Sequence, residues 1–199
     1  MLFKGNYEPM PVIDCGDFYL RSICKRDAQD LFEYGSDPQV TKFLSWGPYE
    51  DFDEARWCID KYYLDRPNHK LPIGYAIVYK ENQKMIGVID FHTIDHMNDC
   101  GEIGYCINRH YQNRGIMTIA LRKMIGVGFD ILKLNRIEIK HVTENIASER
   151  VIQKCDFRFE GILRNKVFDL KANKYRDVKI YSILKDEYLK EELKWQSVK

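Results

Sequence analysis

The sequence predicts an α/β protein, a mixed sheet of about seven strands with helices on both faces. Three observations predict it. Apolar runs of strand length alternate with stretches whose apolar residues fall three and four apart, giving the order β-α-α-β-β-β-α-β-α-β-β. The strand-like Glu102-Ile103-Gly104-Tyr105-Cys106-Ile107 leads through a polar turn, His110 to Gly115, into a helix with Met117, Ala120, Leu121, Met124, Val127, Gly128 and Ile131 on one face. Two long strand-like runs flank Lys171-Ala172-Asn173-Lys174 and read as a closing hairpin.

Taken in order, residues 1–16 show little periodicity and read as a lead-in. Phe18 to Ile23 is the first strand. Asp27 is placed to cap a helix carrying Ala28, Leu31, Phe32 and Gly35, which Asp37-Pro38 stops. Trp46-Gly47-Pro48-Tyr49 is a turn, and a second helix runs from about Phe52 to Leu64 before Pro67 and Asn68. Ile73–Tyr79 and Met85–Ile94 form an antiparallel pair around Glu81-Asn82-Gln83-Lys84. Gly101 to Asn108 is the strand before the polar turn. Arg136 to Val142 is a strand, and Asn145 caps a helix reaching about Cys155. Phe159–Leu170 and Tyr175–Leu184 make the hairpin. Residues 17–188 read as one domain, and the charged tail, 189–199, as helical.

Composition narrows the function. The chain is 45% hydrophobic and 13% aromatic, enough to bury a core. Lys plus Arg number 31 against 30 Asp plus Glu, a net charge of +1, which argues against nucleic acid as the main partner. Six cysteines form no Cys-x-x-Cys pair, which argues against a zinc or redox motif. With no signal-peptide pattern, a reduced, cytoplasmic setting is expected, and no apolar run nears the roughly 20 residues of a membrane span. His92 and His96 lie four residues apart on a strand, roughly 13 Å, too far to share one ion, so no metal site is expected and they are placed beside the acceptor pocket instead. Trp46, Trp57, Tyr62 and Tyr63 read first as core aromatics.

The polar turn can be read in two ways. It is an ordinary strand-to-helix connection, or an anion site made by free N–H groups at the helix start, with Gly115 open to a phosphate, Arg114 adding charge and Thr118 a hydroxyl. It is neither a Walker loop, lacking Gly-Lys-Ser/Thr, nor a dinucleotide fingerprint, since Met117 stands where a second glycine would help.

Several stretches occur together in one order: Glu102-Ile103-Gly104-Tyr105, Gln112-x-x-Gly115-x-Met117, Leu134-Asn135-Arg136-Ile137-Glu138, Asn145-Ile146-Ala147-Ser148, Glu160-Gly161-Ile162-Leu163-Arg164 and Asp177-Val178-Lys179-Ile180-Tyr181-Ser182. Over about residues 17–188 the chain resembles the Gcn5-related N-acetyltransferase (GNAT) family, most of all the branch with the ribosomal-protein N-terminal acetyltransferases. That resemblance implies acetyl-CoA as donor and an amine as acceptor, a protein N-terminus or a small molecule. It implies a diphosphate held by the turn, with Gln112 and Asn113 opening it and Arg114, Gly115, Ile116, Met117 and Thr118 supplying the amides. It implies a pantetheine arm lying beside Tyr105, Cys106 and Ile107, the strand from Arg136 splaying away, and Asn145 and Ser148 facing the arm. A homodimer is a family-level expectation. Met117, Ile119 and Asp156 depart from the family pattern.

Acetyl transfer needs a neutral amine, a stabilised carbonyl oxygen and a protonated leaving thiolate. Glu102, polar in an apolar strand expected to be covered on both faces, is the candidate base. Burial makes a carboxylate a better base. Ser148 is the candidate donor to the thiolate, or else a hydrogen-bonding residue of the first helical turn. The Cys106 N–H is the candidate oxyanion donor. The alternative function is a non-catalytic acyl-CoA-binding module on the same fold.

Overall fold

The computed structural model describes residues 10–196. Its strands are β1 (Ile13–Asp14), β2 (Phe18–Ser22), β3 (Tyr75–Tyr79), β4 (Met85–Asp95), β5 (Cys100–Ile107), β6 (Arg136–Val142), β7 (Arg158–Asp169) and β8 (Lys174–Leu184). They form one sheet in the order β1-β2-β3-β4-β5-β6-β8-β7. The eighth strand is β1, inside the stretch expected to be a lead-in. It pairs only Ile13 with Leu20 and Asp14 with Tyr19, too short a run to show periodicity.

The helices are α1 (Ala28–Gly35), α2 (Pro38–Thr41), α3 (Phe52–Trp57), α4 (Ile116–Gly126), α5 (Ile146–Gln153) and α6 (Lys185–Gln196). Helices α3 and α4 run on as wider turns to Tyr63 and Ile131. Asp27 does precede α1, but its carboxylate does not cap it. It accepts two hydrogen bonds from Arg21 at 2.7 and 2.6 Å and one from the Cys24 N–H at 2.8 Å. Turned back towards Arg21 and Cys24, the carboxylate is spent on those donors and makes no bond to the first amides of α1.

Side-chain alternation divides the core between the two faces of the sheet. On one face Leu20, Ile77, Ile89, Phe91, Ile103 and Ile137 pack with Met117, Leu121 and Met124 of α4 and Ile152 of α5. On the other, Ala76, Val78, Val88 and Cys106 pack with Leu31 and Tyr34 of α1 and Ala55 and Ile59 of α3 and its continuation. Helices therefore cover both faces, and β3 is buried from Tyr75 to Val78.

One junction positions the site. Strand pairs are antiparallel throughout the sheet except β5 with β6, which α4 joins in parallel. Their ladder holds only Cys100 with Arg136, Gly101 with Ile137 and Glu102 with Glu138. Beyond it β5 stays registered with β4 to Ile107, and β6 with β8 to Val142. Each strand follows its other neighbour, so the two part and leave a wedge-shaped gap.

Ladder parity tells which main-chain groups face the gap. Hydrogen-bonded pairs alternate along an antiparallel ladder. The Asn108 N–H bonds the Ile86 carbonyl, so Cys106, two residues back, spends its groups on Val88. Tyr105 and Ile107 then turn theirs to the gap. Across it, the Thr143 N–H bonds the Asp177 carbonyl, which leaves Lys140 and Val142 facing inward.

Candidate active site

The polar turn closes into the start of α4 through two left-handed residues, Asn113 at φ +61° and Gly115 at φ +76°. Gly115 occupies the N-cap position and makes no side-chain capping bond. A Cβ built there meets nothing within 4 Å, so the amides of the first turn open onto free space. Ile116 and Met117 are buried in the core, so the methionine departs from the family pattern without crowding the turn. The exposed Arg114 guanidinium rests 5.2 Å from the Tyr111 ring centroid. The Gln112 carboxamide lies 3.5 Å from the Ile107 carbonyl. Asp156, the other departure at a turn, takes the left-handed conformation at φ +62°.

Asn145 caps α5 as expected, its side-chain oxygen accepting from the Ser148 N–H at 3.2 Å. The Ser148 hydroxyl is not spent on that turn. It lies 2.7 Å from the Tyr105 hydroxyl, which reaches across the gap from β5. Burial raises the Tyr105 phenol well above its ordinary value, against a smaller downward pull from Ser148.

A cleft of about 540 Å³ runs through the gap. Asn145 and Ser148 line it on the α5 side, and Glu102, His92, Asp90, Tyr62, Tyr63 and Trp46 on the α3 side. The segment Lys42–Trp46 and β7 residues Lys166–Asp169 form its outer walls. Lys171, past the end of β7, ties those walls together by donating to the carbonyls of Thr41, Trp46 and Leu44 at 2.6, 3.0 and 3.3 Å.

Glu102 is not sealed between two covered faces as the strand pattern suggested. Its side chain is 20% exposed to the cleft, and Lys140 Nζ donates to its Oε2 at 2.7 Å. Burial works to lower the Lys140 ammonium, but Glu102 and then Glu138 outweigh it and hold it above the ordinary lysine value. Alternation from Val88 and Asp90 puts His92 on the same face, its Nε2 3.5 Å from Glu102 Oε1, and a bulge between Phe91 and Thr93 keeps Thr93 there beside it. Its Nδ1 lies 3.0 Å from Thr93 Oγ1. The ring fills the room above Gly104, where a Cβ would come within 2.8 Å of it. Under this floor Arg66 and Asp90 form a buried pair at 3.3 Å, with the guanidinium against Tyr62 and Tyr63. His96 instead meets the Lys70 carbonyl at 2.9 Å.

The sequence assigned the oxyanion bond to the Cys106 amide. The register overturns this, since that amide belongs to the β4 ladder. Burial pushes its thiol up to about 12, so the thiol keeps its proton. Sequence reasoning also missed Lys140 as the partner of Glu102, although Glu138 opposite Glu102 in a parallel ladder would have placed it nearby.

His141 is 6% exposed, stacks on Tyr181, and holds the Val142 carbonyl through Nδ1 at 2.8 Å. Its Nε2 is buried without a partner, which suits a neutral ring. Burial first, with Lys179 adding to it, holds the imidazole below its ordinary 6.5, against opposing pulls from Val142 and Glu149. The unfolded chain therefore gains this proton first as acid is added. Stability is lost as pH falls through 6.5 towards the lower native value. Urea titrations of wild type and His141→Phe between pH 7.5 and about 5 are expected to show a shallower loss in the variant.

A family profile described as "Acetyltransferase (GNAT) domain" matches residues 17–158. The chain belongs to the GNAT acetyltransferase family. N-acetyltransferase p20 of Bacillus licheniformis, itself uncharacterised, is 36% identical over 169 residues, covering 85% of this chain and 93% of that one. The ribosomal-protein-serine acetyltransferase of Escherichia coli (strain K12) is 34% identical over 116 residues, 57% of this chain and 63% of that one. The solved structure of microcin C7 self-immunity acetyltransferase MccE, in complex with acetyl-CoA and AMP, matches with a TM-score of 0.75 and 26% identity, covering 84% of this chain and 92% of that one. This GNAT protein is an acetyl-CoA-dependent N-acetyltransferase. Two features fit that cosubstrate: the open helix start at Gly115, and the parting of β5 from β6 beyond Glu102.

Proposed function

We propose that this acetyltransferase acts on a primary amine entering from the α3 side of the gap, either a protein α-amine or the amine of a small molecule. Both substrates are bound when the amine attacks. The supporting observation is the continuity of the cleft, from Asn145 and Ser148 on one side to Glu102 and His92 on the other.

In this reading the amides of Arg114, Gly115, Ile116, Met117 and Thr118 hold the diphosphate, helped by the α4 dipole. Gln112 and Asn113 shape the turn, and Arg114 leaves the Tyr111 ring to add charge. Tyr105 and Ile107 offer main-chain groups to the pantetheine arm, and Asn145 and Ser148 flank it. Bound acetyl-CoA supplies an activated acyl carbon on sulfur. The N–H groups of Tyr105 and Ile107, in place of Cys106, are the donors available to the carbonyl oxygen.

Glu102 takes the proton that the amine must shed. An α-amine, with a pKa of about 8, asks less of such a base than a lysine side chain at about 10.4. Ser148 protonates the departing sulfur. Tyr105 keeps its proton through burial; its hydroxyl reaches both the Ser148 carbonyl, at 3.2 Å, and Ser148 Oγ, at 2.7 Å, and when it donates to Oγ the serine proton is left free. Tyr105→Phe is expected to lower kcat about tenfold, the worth of one hydrogen bond of about 1.4 kcal/mol. The KM for acetyl-CoA should stay within about threefold, measured by steady-state thiol release. An unchanged kcat would remove Tyr105 from the proton path.

The reading as a whole is tested by thiol release with acetyl-CoA and a panel of amines, including peptides with free N-termini. Turnover on a primary amine is expected. Tight CoA binding with no release on any amine would make this a binding module instead.

A further inference from the structure

Resting on that reading of the cleft, we propose that His92 and Glu102 form a two-acceptor seat for the attacking nitrogen, with His92 a second catalytic residue that takes one of the two protons the nitrogen sheds, beside the one that Glu102 takes. The geometry carries this in three steps.

The first is the spacing between the pair. His92 Nε2 and Glu102 Oε1 stand 3.5 Å apart, beyond a good direct hydrogen bond. They are close enough for one nitrogen to sit at the apex of a triangle, about 2.9 Å from each. A protonated or neutral amine has the N–H groups to donate to both atoms at once. Both side chains line the cleft, 30% and 20% exposed.

The second is the division of labour that Lys140 imposes. Its ammonium occupies Glu102 Oε2 at 2.7 Å and also lies 3.5 Å from Glu138. With Oε2 so occupied, Oε1 is the Glu102 oxygen left to draw the incoming ammonium. An imidazole exchanges its proton readily near neutral pH. Thr93 Oγ1, 3.0 Å from Nδ1, can accept from that nitrogen and so hold the tautomer whose Nε2 carries the lone pair.

The third is the position of the ring. His92, two residues on from Asp90, the ladder partner of Gly104, stands over that glycine, which lies beside Tyr105, whose main chain faces the gap. A side chain at 104 would displace the imidazole. The seat therefore lies on the acceptor side of the wedge, opposite Ser148.

The proton count closes. An ammonium acceptor loses two protons as its nitrogen forms the new bond to the acyl carbon and the carbon–sulfur bond breaks. One leaves through Glu102 and one through His92 Nε2, both to solvent. Ser148 delivers one to the sulfur and recovers its own from the Tyr105 side and solvent.

The test is His92→Gln, which keeps the size and polarity of the side chain but cannot take up a proton. The groups that share the cleft with His92 are Asp90 on its own strand, Glu102 on β5, Lys140 on β6, Tyr62 and Tyr63 beyond α3, Lys42 after α2, and Lys166 and Asp169 on β7. None of these changes in the variant. The expected result is a fall in kcat/KM for the amine of about a hundredfold at pH 7, with the acidic limb of the pH–rate profile lost. Calorimetry should give a Kd for CoA within about twofold of wild type. His92→Ala, assayed with added imidazole, should recover activity in proportion to the free base. A His92→Gln enzyme within about threefold of wild type from pH 6 to 9 overturns the inference and leaves the acetyltransferase reading standing. Wild type that turns over no amine overturns both.

Discussion

Glu102→Gln is expected to lower kcat/KM for the amine by about a hundredfold, the low end for loss of a positioned base. Acetyl-CoA should bind it as before. The substitution keeps the shape of the side chain and its carbonyl oxygen. It removes the charge that pairs with Lys140 and attracts the incoming ammonium. Lys140 is not stranded, since Glu138 remains at 3.5 Å, so the fold should tolerate the change. The prediction separates chemistry from cofactor capture, because Glu102 lies on the α3 side of the gap and the α4 turn on the other. Initial rates across pH 6–9 and a calorimetric Kd for CoA check it. A rate equal to wild type throughout would take Glu102 out of the reaction.

Gly115→Val should act on the other substrate. A left-handed φ costs an L residue roughly 1–2 kcal/mol, and more when it is β-branched. Nothing crowds the added side chain inside the protein, so the fold should survive with a Tm lowered by a few degrees. The isopropyl group would instead stand in the open space in front of the α4 amides. The Kd for CoA is expected to rise at least tenfold, or about 1.4 kcal/mol. Amine dependence at saturating acetyl-CoA should change little. Asn113→Gly, at the neighbouring left-handed position, is the control that relieves strain without adding bulk. If Gly115→Val bound CoA as well as wild type, the diphosphate would have to sit elsewhere.

Much of the fold was legible because local signals agreed with one another. Asn145 has cap chemistry, and it caps. The strand at Arg136 to Val142 is found with those bounds, because its alternation is strict and nothing competes with it. Where a side chain had a distant partner, local reading failed. Asp27 looked like a helix cap, but Arg21 from the neighbouring strand claims its carboxylate. Register was the other blind spot. Which amide of β5 is free depends on counting pairs against β4, and one residue of slip exchanges Cys106 for its neighbours. The bulge that sets Thr93 beside His92 has no sequence mark, since neither glycine nor proline stands there. Lys140 drew no assignment from the sequence, because its meaning appears only once β5 and β6 stand side by side.

The Lys171 contact carries a consequence for how acceptors arrive. An ammonium shared among three carbonyls stitches the β7–β8 hairpin to the segment after α2, so the mouth of the cleft is bounded by a closed loop of chain. Burial lowers the Lys171 ammonium below its usual value, as expected of a charge seated at that crossing. A long polypeptide must therefore offer its end like a thread to a needle's eye.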